Sequence, residues 1–133
     1  MKSLLRCCCA FFALLLVISL AGCKEKELRL VGTYSINDQG KMEPYVRIEK
    51  KGNDYWMTGN HGGKWGSSIV VTPVSKEELS RVLKGPVSIN FAGLGNNNVA
   101  IFQVPKGWKL DKFECKTGFV LATVIGPLEL YKN

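Results

Sequence analysis

Apolar and polar residues alternate with a period of two along most of the chain beyond residue 27, the pattern of strands with one wet face. Leu28, Leu30, Tyr34 and Ile36 alternate with Arg29, Thr33 and Ser35, and Asn37-Asp38-Gln39-Gly40 supplies a turn. Residues 44–58 predict the clearest hairpin, in which Tyr45 to Glu49 passes through Lys51-Gly52-Asn53-Asp54 into Tyr55-Trp56-Met57-Thr58. A glycine-rich loop over 59–66 then leads to a β-branched run over 68–72. Further strands are expected at 87–91, 99–104, 112–116, 119–125 and 128–131, separated by turns at 93–98, 105–107 and Gly126-Pro127. The run 119–125 is apolar on both faces, which places it at the centre of a sheet or between two layers.

One segment departs from this period. Ser75 is a helix N-cap with Glu78 three positions on, Leu79, Val82 and Leu83 recur at helical spacing, and Gly85-Pro86 supplies the stop. The chain therefore predicts a mainly β fold. It is a small antiparallel barrel or sandwich of about eight strands with one short helix over 75–84, all within a single domain spanning 28–133. No internal repeat breaks that domain up.

The N-terminus follows different rules. Lys2 and Arg6 precede an apolar run from Cys7 to Leu20, too short for the roughly 20 residues of a membrane-crossing helix. The run ends in Leu20-Ala21-Gly22-Cys23, which resembles the lipobox of bacterial lipoproteins. The resemblance covers the first 23 residues. It implies that residues 1–22 are a signal peptide cleaved between Gly22 and Cys23, and that Cys23 carries acyl chains such as palmitate. Residues 23–27 then form the lipidated cysteine and a short charged tether. Three acyl chains make attachment effectively permanent, because each buried CH₂ adds about 0.8 kcal/mol. Lys24 follows the cysteine where an Asp would signal retention in the inner membrane, so the resemblance implies an outer membrane facing the periplasm in a two-membrane cell. A single-membrane cell would carry the domain outside.

A second, shorter resemblance lies in Gly32-Thr33-Tyr34, which is similar to the Gly-x-Trp opening of lipocalins with Tyr in place of Trp. It implies a closed carrier barrel of eight strands, and no ligand-binding residue is carried over from it.

Charge adds little to this picture. Lys and Arg number 18 against 11 acids, and loss of Lys2 and Arg6 with the leader lowers the net charge from +7 to +5. Without a basic block this serves solubility, with attraction to lipid head groups or an acidic partner as the alternative, and no nucleic-acid partner is expected. Cysteine usage is more informative. With Cys23 acylated and Cys7, Cys8 and Cys9 discarded, Cys115 is the one remaining thiol, so no internal disulfide can form. The strand period sets it on the face of Phe113, as a buried small apolar residue, with a reactive or intermolecular thiol as the alternative.

Catalytic chemistry is poorly supported. His61 is the only histidine and lies in the glycine-rich loop, with no Gly-x-Ser-x-Gly nucleophile elbow elsewhere. One histidine and one thiol cannot fill a zinc shell, and no calcium-loop spacing occurs. Glu77 and Glu78 diverge on the helix, while Asp111 and Glu114 flank a strand start, so neither forms a glycosidase pair. The segment Gly93-Leu94-Gly95-Asn96-Asn97-Asn98 lacks the third glycine and following helix of a dinucleotide fingerprint, and reads as a hairpin loop. No metal or cofactor is expected.

Large aromatic residues remain as candidate anchors. Trp65 and Trp108, each between Lys and Gly neighbours, together with His61 and Tyr55 are the candidate partner-binding residues. The expected function is that of a membrane-anchored, non-catalytic periplasmic protein that recognises another envelope or secreted protein, of the inhibitor or toxin-immunity type. A lipocalin-like carrier of a lipid or apolar small molecule is the alternative, and an envelope hydrolase a lesser one.

Overall fold

A computed structural model describes residues 26–83 and 91–133. The expected signal peptide, lipobox and lipidation site lie outside the described residues, as do residues 87–90 of one expected strand. A helical turn over 26–28 precedes β1 (Gly32–Asp38), β2 (Lys41–Lys51), β3 (Asp54–His61) and β4 (Lys64–Pro73). Helix α1 (Lys76–Leu83) follows, then β5 (Ala92–Gly95), β6 (Val99–Gln103), β7 (Trp108–Leu110) and β8 (Phe113–Cys115). The chain ends with β9 (Phe119–Thr123), β10 (Gly126–Glu129) and β11 (Tyr131–Lys132).

These strands form the expected mainly β fold, a nearly closed antiparallel barrel. The wall runs β10-β9-β6-β5-β4-β3-β2-β1-β11, while β7 and β8 form a separate hairpin. Strands β10 and β11 are halves of one run interrupted at Leu130, so a single terminal segment serves both edges of the sheet. Its first half pairs with β9 and its second with β1, where Tyr34 faces Lys132 and Ser35 faces Tyr131. At the switch, Leu130 N–H donates to Phe119 O at 2.9 Å and its carbonyl accepts from Thr117 Oγ1 at 2.6 Å.

The period of two accounts for what fills the barrel. Tyr34, Ile48, Leu94 and Ile101 point inward from four strands, and Leu30 and Leu130 join them, all fully buried. Burying one such side chain is worth about 1.5–3 kcal/mol, so this packing fixes which face of each strand points inside. Residues of opposite parity build a second layer outside β5, β6 and β9. There Phe102, Val120 and Ala122 are covered by Leu79 of α1 and by Trp108, Leu110, Phe113 and Cys115 of the β7–β8 hairpin. The run from Phe119 is therefore apolar on both faces because it lies between the barrel interior and this outer layer.

Three local expectations are corrected. Residues 93–95 belong to a strand rather than a loop, and the turn is confined to 96–98. Glycine is required there by packing: a Cβ on Gly93 would sit 3.3 Å from Val74 and 3.4 Å from Leu79, and one on Gly95 only 2.6 Å from Ala100 Cβ. Val124 and Ile125 leave the strand and form the β9–β10 turn, 86% and 96% exposed. The glycine-rich stretch 59–66 is mostly strand, with β3 and β4 joined by a tight turn at Gly62-Gly63, whose φ angles of 59° and 84° favour glycine.

Candidate functional site

The barrel has two unlike ends. The base receives the chain at residues 26–31, where Leu30 is buried and Glu27 acts electrostatically on the Tyr55 hydroxyl. The opposite end, the mouth, carries the turns after β1, β3, β5 and β9. Three cavities lie toward it, of about 340, 290 and 250 Å³; the first two share Asn96, Asn97 and Ala100, and the second and third share Val99 and Thr123.

Two bulges shape this end. Tyr34 pairs with Val46 and Ser35 with Pro44, leaving Tyr45 as an extra residue in β2 whose ring packs against the core. Thr58 pairs with Ser68 but Asn60 with Trp65, leaving Gly66 and Ser67 together opposite Gly59 in β4. Both bulges lie beside the 250 Å³ cavity, which Tyr45, Met57, Ser67, Ile69, Val99 and Leu121 help to line.

The wall is incomplete beside that cavity. Strand β5 pairs with β4 only through Thr72–Gly95 and Pro73–Leu94, although β4 extends back to Lys64. Among the described residues, no strand therefore covers the side of residues 64–71 that faces away from β3, and the wall has a notch above β5. Ile69 and Val70 are 40% and 45% exposed at its edge.

The candidate anchors separate in space. His61 is exposed in the last position of β3, and Trp65 lies nearby on the outer face, half-buried beneath the Arg47 guanidinium at 4.6 Å. Arg47 Nε in turn pairs with Glu49 at 2.6 Å. Tyr55 is buried in the barrel interior. Burial, and then the carboxylate of Glu27, hold its phenol above the ordinary range. Trp108 packs edge-on against Phe91 and Phe102 in the outer layer, with centroids 5.9 and 6.1 Å away. His61 and Trp65 thus share the mouth, whereas Tyr55 and Trp108 belong to two different packed clusters. Comparison with protein-family models, with curated proteins and with solved structures finds no match.

Sequence reasoning missed the notch and the residues around it. Ser68, Ile69 and Val70 carry no distinctive chemistry, and their importance comes from where β5 stops. Residues 93–95 read as a loop in the sequence, so the four-residue length of β5 beside ten residues of β4 is visible only in the structure. Among the described residues, no group of three or more His, Cys, Asp or Glu side chains is placed to hold a metal. No described helix is long and apolar enough to cross a membrane.

Proposed function

We propose that this protein is a lipid-anchored, non-catalytic β-barrel that recognises another protein in the cell envelope, as an inhibitor or immunity protein does. The observation that carries this reading is the filled barrel: its interior is closed by packed side chains, and its open surface is gathered at the mouth. The chain enters at the base, and Cys23 precedes the first described residue by three positions. An acyl anchor there would hold the base toward the lipid and turn the mouth outward.

The carrier alternative is less well supported. A carrier needs an apolar cavity of about 300–1,000 Å³ inside the barrel. Here Tyr34, Leu94, Ile101 and Leu130 occupy that interior, the cavity that reaches into it is about 250 Å³, and the cavities of about 340 and 290 Å³ lie on the outer side of the wall, against Leu79 of α1 and Ala122 of β9. Native mass spectrometry of the full-length protein, purified from membranes in mild detergent, separates the readings. The expected species carries an acylated Cys23 and a stoichiometric protein partner. A retained lipid in place of the partner would favour the carrier, and an unacylated soluble species would remove the anchor.

A further inference from the structure

The notch exposes backbone as well as side chains. Val74 N–H donates to Gly93 O at 2.9 Å, so Val74 directs its amide toward β5. Alternate residues of an antiparallel strand send their N–H and C=O groups to the same neighbour, so Thr72, Val70 and Ser68 point the same way. Thr72 meets Gly95. Beyond it β5 ends, and the Asn96–Asn98 turn is satisfied from within. Asn96 N–H donates to Val99 O at 2.9 Å, while Asn98 and Val99 N–H both donate to Asn96 Oδ1 at 2.8 and 3.0 Å. Among the described residues, nothing therefore pairs with the main-chain groups that Ser68 and Val70 direct away from β3.

This edge also lacks the guards that solvent-exposed strands carry. From Trp65 to Thr72 it has no charge, no proline and four successive β-branched residues, a composition that natural edges avoid unless something covers them. The bulge at Gly66-Ser67 lies above the open amides and leaves them accessible.

We propose that the β4 edge in the notch is the recognition element: it binds an extended segment of another protein as an added strand. The proposal rests on the protein-binding reading and specifies its partner. Only a polypeptide offers alternating N–H and C=O groups at the strand repeat, so a lipid or small apolar molecule would leave Ser68 and Val70 unpaired. Every second side chain of the added strand points into the 250 Å³ cavity lined by Met57, Ile69, Val99 and Leu121, which selects an aliphatic residue. Lys64 stands at the outer end of the open edge and no acid lies between it and Thr72, so the segment is uncharged in its middle and carries Asp or Glu at the end beside Lys64.

The test uses the full-length protein in the cells that make it, with a photo-reactive amino acid at Asn97 across the notch and, as a control, at Lys109 on the β7–β8 hairpin. Val70→Pro removes an amide aimed at the notch and leaves the pairing with β3 intact, while Val70→Thr keeps it. Ile69→Glu, at a position already part-exposed, blocks the aliphatic side chain from the cavity. Thermal unfolding verifies that each variant is folded, and Ile69→Glu serves alone if Val70→Pro is not.

The expected result is an Asn97 adduct to an extended segment of a different protein, reduced about tenfold by Val70→Pro or Ile69→Glu and changed less than about twofold by Val70→Thr. An adduct insensitive to these variants, an adduct to a second copy of this chain, or an adduct only from Lys109 overturns the inference while leaving a protein-binding role. A partner that co-purifies without an Asn97 adduct does the same. Absence of any adduct and any co-purifying protein overturns both.

Discussion

The Tyr34 hydroxyl donates to the carbonyl oxygen of Leu30 across 2.7 Å inside the barrel, tying β1 to the segment that enters the base. Burial raises this phenol well above its ordinary value of 10.0. The neutral form is favoured in the folded state, so the unfolded chain ionises first as pH rises. The contribution of Tyr34 is therefore intact below pH 10.0 and is lost above it, as pH climbs toward the raised folded value. Tyr34→Phe leaves Leu30 O without a donor and is expected to cost about 1–3 kcal/mol at neutral pH. It should also flatten the alkaline loss of stability. Urea unfolding of both proteins at neutral and alkaline pH checks this, and an unchanged alkaline slope would contradict it.

Gly95 holds the seam between β4 and β5. An alanine there places Cβ 2.6 Å from both Ala100 Cβ and Val99 O, which only a shift of β6 or of the Asn96–Asn98 turn can relieve. Gly95→Ala should destabilise by about 1–3 kcal/mol. It should also speed hydrogen exchange at the Thr72 amide more than at amides between β2 and β3. Uniform acceleration throughout the barrel would show that the strain is not local.

Cys115 is completely buried, with Sγ 3.4 Å from Phe119 O. The native thiol should resist alkylation by iodoacetamide and become reactive only as denaturant unfolds the domain, since the thiolate must be reached by the reagent. Alkylation followed by mass spectrometry across a urea series reads this directly. Full modification in native buffer would mean that the β7–β8 hairpin lifts away from the barrel.

The Arg47 guanidinium stacks on Trp65 and shares an ion pair with Glu49, all at the surface. Arg47→Ala should lower stability by no more than about 1 kcal/mol, the scale of part-exposed cation–π and ion pairs. Trp65 emission should shift to longer wavelength as its ring becomes wetter. Arg47→Lys should not restore the emission, because an ammonium group cannot lie flat on the indole.

The architecture was largely legible in the sequence because burial imposes a period of two on strands such as β2. Residues 44–58 form the expected hairpin, and Ser75 begins the expected helix, its Oγ accepting from Glu78 N–H at 3.2 Å. What was not legible arose from long-range packing. Gly93 and Gly95 look like loop residues because glycine weakens strands, yet Val74 and Leu79 press on Gly93, and Val99 and Ala100 of β6 leave no space for a side chain at Gly95. Trp108 looks like a surface anchor in a Lys-Gly context, yet Phe91 and Phe102 form its pocket from distant positions. For the candidate site, His61 and Trp65 were visible as residues. The open amides of Ser68 and Val70 were not, because a missing neighbour leaves no mark on the strand that lacks it.

The dual use of the terminal run has a temporal consequence. Ser35 and Asn133 are hydrogen-bonded although 98 positions apart in sequence, and β1 gains its second neighbour only from Tyr131 and Lys132. Such non-local pairings are slow to form, because the chain entropy of the whole domain must be lost before the contact rewards it. Until that segment has been made the sheet therefore stays an open ribbon with two unmatched margins, and a chain cut before Tyr131 should remain in that aggregation-prone form.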